Sequence, residues 1–254
     1  MASYKDHFSS TAEAYAVHRP RHPGELVRWL AGVCAQRVRA WDAGCGNGQL
    51  GVLLAGEFAE VIATDASRAQ IAHAAAHPHV TYRMAAAEAD FAQGGIADAS
   101  IDLCVAAQAA HWFDMEGYVE QVRRVSKPGG VAALVSYGLM EIAAPLVQQE
   151  IRAFYVGDLA PFWPPERRHV ENAYCDLHWP FEPLISPEFA IVRHWSCDEL
   201  LGYIDTWSAI SAMKKAGLQA GVGRFCKAVT AAWPETAATL SVRFPLNVRA
   251  ARVN

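Results

Sequence analysis

The sequence predicts an α/β fold: a doubly wound, mostly parallel sheet of seven strands with a helical and loop lid. Three observations predict it. A glycine-rich turn, Gly44-Cys-Gly-Asn-Gly48, follows a short apolar strand and opens a helix. Strand and helix patterns then alternate five times up to Tyr137. The fourth strand, within Ala99–Ala110, is an apolar run, as a parallel central strand should be. At 254 residues the chain is long enough for one large core or a core plus a lid. Hydrophobic residues make up 52% and charged ones 19%, which marks a globular chain.

Residues 4–23 contain Phe8, Tyr15 and Arg19-Pro20. Tyr15 and Arg19 share a helix face, and Pro20 ends that helix. One reading is a packed N-terminal helix with Arg19 in solvent. The other is a lid over 1–23 whose Tyr15 and Arg19 face a ligand, with His7 nearby. Gly24–Arg37 carries Leu26, Val27, Leu30 and Val33 at helical spacing. Val38–Trp41 is the first strand. The glycine run starts after Asp42 and reads Asp42-x-Gly44-x-Gly46-x-Gly48. Glycine lets backbone approach a ligand where a Cβ would block it. A dinucleotide fingerprint would need glycine at 49, which is Gln49.

Val61–Asp65 is a buried strand ending in an acid about twenty residues after the glycine turn, a position suited to ribose hydroxyls. The alternative is a helix cap, since Ser67 and a helical run to Ala76 follow. His73 and His77 stand four apart on that run without an acid or third ligand near. Val80–Met84 is the third strand. Ala87 and Glu88 follow, either against a base or with Glu88 as a solvated first-turn residue. Ala99–Ala110 is strand four, with Gln108 and His111-Trp-Phe-Asp114 at its carboxyl end. Met115–Ser126 is an amphipathic helix, Pro128-Gly-Gly130 a turn and Val131–Tyr137 strand five.

Together these pieces resemble the class I S-adenosylmethionine (SAM)-dependent methyltransferases of the type 11 group. More narrowly they are similar to the branch that includes trans-aconitate methyltransferase. The resemblance rests on Phe8…Tyr15…Arg19-Pro20, Asp42–Gly48, Asp65, Ala87-Glu88, Ala107-Gln-Ala-Ala-His-Trp-Phe-Asp114, Arg124–Gly130 and Gly202-Tyr-Ile-Asp-Thr-Trp-Ser208. It implies a Rossmann-like core over 24–142 and SAM as cofactor. It assigns Asp42 to loop order near the methionine amino group, and Gly44 and Gly46 to the methionine part. Asp65, with Ala66 beside it, goes to the ribose, Ala87 and Glu88 to adenine, and Gln108 to the sulfonium. Tyr15 and Arg19 would close over the site.

Substrate choice is expected from the last third. Ala143–Tyr155 reads as a helix. Gly157–Pro187 holds six prolines with Phe162, Trp163, Trp179 and Phe181, which suits a rigid, irregular segment. The expected substrate lid is 143–195, and 196–254 supplies helices and closing antiparallel strands. Phe189–Trp195 reads as a strand and Cys197–Lys215 as one helix. Leu240–Phe244 and Asn247–Arg252 read as two strands bracketing Pro245. Cys175-x-x-His178 and His194-x-x-Cys197 mimic zinc spacing, but an i, i+3 pair at a strand end points to opposite faces, so no metal is expected.

A carboxylate acceptor is ionised at pH 7 and needs no base. A hydroxyl or amine would need one, with His111, Tyr137 and His7 as candidates. That favours an acidic small molecule, lined by His7, Tyr15, His111, Trp112, Tyr137 and Trp163. The alternatives are an NAD-dependent oxidoreductase and a non-catalytic SAM-binding protein. The net charge of −4 gives no electrostatic case for nucleic acid. No apolar run spans a membrane, Met1–Ser10 lacks an apolar signal core, and six separated cysteines read as reduced thiols. A cytoplasmic monomer or homodimer is expected.

Overall fold

Strand β1 (Arg39–Ala43) sits at the centre of the sheet, and the chain folds outward from it to both sides. The computed structural model describes residues 20–89 and 95–254. His7, Tyr15, Arg19 and residues 1–19 of the N-terminal lid expected over 1–23 lie outside the described residues. Helix α1 (Gly24–Val33) precedes β1 and buries Leu26, Val27, Leu30 and Ala31. Helix α2 (Gln49–Leu54) leads to β2 (Glu60–Asp65), and α3 (Arg68–Ala72) to β3 (Val80–Met84). The chain returns through β4 (Ile101–Ala107), α4 (Met115–Val125) and β5 (Ser126–Ser136).

The order β3-β2-β1-β4-β5 is parallel throughout. It reverses direction of growth between β1 and β4. That switch point opens a crevice at the carboxyl ends of both strands. One sheet face packs on α1 and α2 through Ala40, Val61, Leu103 and Val105. The other packs on α4 through Trp41, Ile62, Cys104 and Ala106. Alternate residues of each strand therefore serve opposite layers. Burying Tyr118, Val119, Val122 and Val125 of α4 contributes about 1.5–3 kcal/mol for each large side chain.

The sheet has nine strands rather than seven. Short strands β6 (Glu141–Ile142) and β7 (Glu182–Pro183) join β8 (Phe189–Trp195), and all three pair antiparallel with β9 (Leu240–Arg252). β9 is one strand of 13 residues, not two. Pro245 sits opposite Ala190 of β8. On its other side it falls between the stretch paired with β6, which ends at Arg243, and the stretch paired with β5, which starts at Asn247. A residue without an N–H fits that unpaired gap.

Other boundaries differ for local reasons. Strand four ends at Ala107, because Gln108 turns to φ +53 and Ala110–Trp112 forms a 3₁₀ turn. Pro128-Gly-Gly130 lies inside β5 as a bulge, with Gly129 at φ +72 and a register shift opposite Ile101–Leu103. α3 stops at Ala72, so His77 is beyond it and the expected helical His73–His77 face does not form. Residues 197–215 make two helices, α5 lying before them at Pro145–Val156, then α6 (Arg167–Glu171), α7 (Cys197–Asp205) and α8 (Ser208–Lys215). The break comes where Thr206 Oγ1 donates to Tyr203 O at 2.7 Å and Trp207 takes an extended backbone. α9 (Gln219–Ala232) then stacks Phe225 on Phe154 of α5, centroids 4.1 Å apart. Residues from 137–159 and 191–244 share this second apolar cluster.

Candidate functional site

The loop between β1 and α2 is built by three left-handed glycines, Gly44, Gly46 and Gly48, at φ +67, +54 and +82. A Cβ on Gly44 would stand 2.5 Å from Ala109 Cβ, and one on Gly48 2.1 Å from the Tyr82 hydroxyl. At Gly46 the nearest atom is Gln70 Oε1 at 3.8 Å, so that position opens on free space. Asp65 holds the loop from β2: its two oxygens accept the Gly46 and Ser67 N–H groups, each at 2.8 Å. Ser67 itself caps α3 by accepting from Gln70 N. Asp65 thus braces the loop and the residue that caps α3, and it borders the crevice. Burial raises its pKa, and the two N–H groups oppose the rise.

Asp42 ends up 1% exposed, and its Oδ2 has no hydrogen-bond partner among the described residues. Desolvation first, then the neighbouring Asp65 charge, push its pKa to about 8 against the pull of the Gly51 N–H. At the end of β4, Gln108 holds a strained φ of +53. Its backbone N–H donates to Val135 O and its Nε2 to Tyr137 O, each at 2.8 Å.

These groups line a cavity of about 400 Å³, within the range of small-ligand sites. Asp42, Gly44, Gly46, Asp65, Ala66, Ala87, Glu88, Gln108, Trp112 and Tyr137 all border it. Among the described residues it has four carboxylates on its wall, Asp42, Asp65, Glu88 and Glu166, and no lysine or arginine. Such a wall suits a cation and opposes the pyrophosphate of a dinucleotide. An adjoining recess of about 60 Å³ shares Gln108, Trp112 and Tyr137 and adds His111, Trp163, Arg167, Tyr203 and Trp207. The structure therefore splits the expected substrate residues: Trp112 and Tyr137 lie on both walls, His111 and Trp163 on the recess alone.

His111 Nδ1 lies 2.9 Å from the Tyr174 hydroxyl. Burial drives the Tyr174 pKa far up, so the phenol stays protonated. The two groups share one hydrogen bond, and the ring tautomer sets which of them donates.

Sequence reasoning missed His22, Glu166 and Arg167. His22 borders the larger cavity, its Nδ1 is buried without a partner among the described residues, and desolvation lowers its pKa to about 4. Glu166 Oε2 is likewise buried and unpartnered. The proline-flanked Glu166-Arg-Arg run reads as a solvated charge cluster, so no sequence signal marked it. For His22, Pro20 and Pro23 on either side signalled a fixed backbone.

The family description "Methyltransferase domain" matches residues 41–134, from β1 to β5. A candidate methyltransferase of Dictyostelium discoideum is 33% identical over 219 residues, which is 84% of this chain and 81% of that one. A solved structure, of a candidate type II methyltransferase from Anaeromyxobacter dehalogenans, superposes with a TM-score of 0.84 at 42% identity. It covers 92% of this chain and 98% of its own. The YcgJ protein of Bacillus subtilis shares the fold, with a TM-score of 0.51 at 16% identity over 91% of this chain and 98% of its own.

Proposed function

The chain belongs to the SAM-dependent methyltransferase family, and from that premise we propose that it methylates a small acidic molecule at a carboxylate oxygen. The family makes it an enzyme with SAM as methyl donor. The residues present fit that donor. The acidic wall suits a sulfonium and an ammonium, Asp42 Oδ2 is buried without a partner, and the Gly46 position is open where a Cβ would intrude.

Bound SAM supplies an electrophilic methyl group. The chain's own part is to align the acceptor and exclude water. We assign Asp42 to the methionine amino group and the Gly44 and Gly46 backbone to the methionine chain. Asp65 and Ala66 take the ribose, Ala87 and Glu88 the adenine, and Gln108 the sulfonium end. His7, Tyr15 and Arg19 are proposed to cover the site from the N-terminal segment, and residues 143–195 to form the substrate lid. The Ala107–Asp114 stretch supports placement near the trans-aconitate methyltransferase branch. The proposed protein is a cytoplasmic monomer or homodimer with no nucleic-acid partner; no helix among the described residues is long and apolar enough to cross a membrane.

The observation that carries the acceptor reading is the recess joined to the cleft at Gln108, Trp112 and Tyr137. His111 borders that recess with its ring held against the Tyr174 hydroxyl, and we assign it to orienting an acceptor oxygen that is already ionised. Purified protein with methyl-labelled SAM and a panel of small acids, alcohols and amines tests this. The expected product is an alkali-labile methyl ester. Labelling of amines or carbons alone refutes it.

One observation favours a second reading, a hydroxyl acceptor. His22 borders the larger cavity with its ring Nδ1 buried and unpartnered among the described residues, a nitrogen able to accept from a hydroxyl. An alkali-stable methyl ether from the same panel would select it.

A further inference from the structure

The two chambers have opposite polarity. The larger carries four carboxylates, and the smaller carries Arg167. Arg167 opens the five-residue helix α6, and its guanidinium is fixed on three sides. It lies 5.0 Å over the Trp163 ring and 5.8 Å over the Tyr155 ring. Its Nε donates to the Tyr155 hydroxyl at 3.0 Å. That hydroxyl in turn donates to Glu171 Oε1 at 2.8 Å. Tyr155 and Trp163 are themselves wedged against Trp207, with centroids 5.6 Å away in each case. The stacking leaves both Nη groups without a hydrogen bond or ion pair among the described residues.

A surface arginine needs no such frame. Aromatic stacking holds the plane of a guanidinium while leaving its edge for a ligand, and that edge matches a carboxylate with two parallel N–H donors. Glu171 is engaged by Tyr155, and Glu166 borders the other chamber, so neither cancels the charge by direct pairing.

We propose that Arg167 is the anion anchor of the acceptor site, taking the carboxylate of a ligand whose planar or apolar body lies among Trp163, Tyr203 and Trp207. This rests on the methyltransferase reading of the adjoining cleft and names the residue that selects the acid. Because the donor is a cation and the acceptor an anion, each chamber rejects the other's ligand.

The test uses wild-type protein and the R167M and R167K variants. S-Adenosylhomocysteine is titrated first by calorimetry. The protein saturated with it is then titrated with phenylacetate, indole-3-acetate and hexanoate, each beside its neutral primary amide. In the wild type at least one acid should bind tenfold or more tightly than its own amide. R167M should cut that ratio below threefold, and R167K should give an intermediate ratio, since it keeps the charge and loses the fork. S-Adenosylhomocysteine affinity should stay within twofold in both variants. No acid preference in the wild type, or a preference that survives R167M, overturns the assignment of Arg167 alone. Failure of S-adenosylhomocysteine to bind the wild type overturns the cleft reading and this proposal with it. If R167M is unfolded, R167K decides: an unchanged acid-to-amide ratio overturns the fork.

Discussion

Asp42 makes donor binding depend on pH. In the ligand-free protein its carboxyl stays protonated up to about pH 8, because burial and Asp65 disfavour the anion. A ligand ammonium beside it needs the charged form. With a pKa of about 8, roughly one molecule in ten is ionised at pH 7 and one in a hundred at pH 6. Affinity for S-adenosylhomocysteine should therefore rise about tenfold per pH unit between 6 and 8 and level off by 9, about 1.4 kcal/mol per unit. At pH 7 binding should release close to one proton, visible as a heat that varies with buffer ionisation enthalpy. Asp42→Asn removes the titration and is the control for the ligand's own amine. Stability runs the opposite way to affinity. A raised carboxyl pKa favours the ligand-free fold below the unfolded value, and that contribution is lost as pH rises through about 8. A wild-type binding profile that superimposes on that of Asp42→Asn from pH 6 to 9 refutes the reasoning.

Four further outcomes are expected. Gly46→Ala should lower stability by only about 1–2 kcal/mol, the left-handed penalty, yet weaken S-adenosylhomocysteine binding at least tenfold; Gly44→Ala, which also strikes Ala109 and Phe113, should cost about 2–5 kcal/mol in urea unfolding. His22, depressed to about 4, lowers stability as pH falls from 6.5 toward 4, so His22→Gln should flatten that acid limb by about 2–3 kcal/mol relative to wild type in thermal scans from pH 4 to 7. Tyr174→Phe removes the 2.9 Å partner of Nδ1 and should shift the His111 tautomer ratio, read from its ¹⁵N shifts, with S-adenosylhomocysteine affinity unchanged. Lys127→Met strips Asp102, 4% exposed, of its 2.7 Å cation while leaving the Val38 and Arg39 N–H donors, and should cost about 2–3 kcal/mol in denaturant unfolding.

What the sequence disclosed and what it hid divide along physical lines. β1 to β5 and their helices were legible because apolar runs, helical spacing and the Asp42–Gly48 turn are local signals. The lining of the larger cavity follows from them, since it is made of strand ends. Boundaries set by tertiary contact were hidden. The break at Thr206-Trp207 exists because Trp207 turns to meet Tyr155 and Trp163, residues over forty positions earlier. The continuity of β9 through Pro245 depends on which neighbour lies beside each residue, which no periodicity encodes. Arg167 was invisible for the same reason: its three restraining contacts come from the packed aromatic cluster, and its own neighbours in sequence are polar.

β9 belongs to the frame of both chambers. Its second half seals the edge of β5, and its first half carries Phe244 against Tyr137 and Tyr203, rings 5.4 and 5.3 Å away. An uninterrupted ribbon of this kind transmits twist and leaves no seam for a clamshell movement. Traffic of donor and acceptor must then use the rim, where short helices and proline turns can peel back singly. A permuted chain opened at Pro245 would introduce the missing seam, and its two halves would be free to rock.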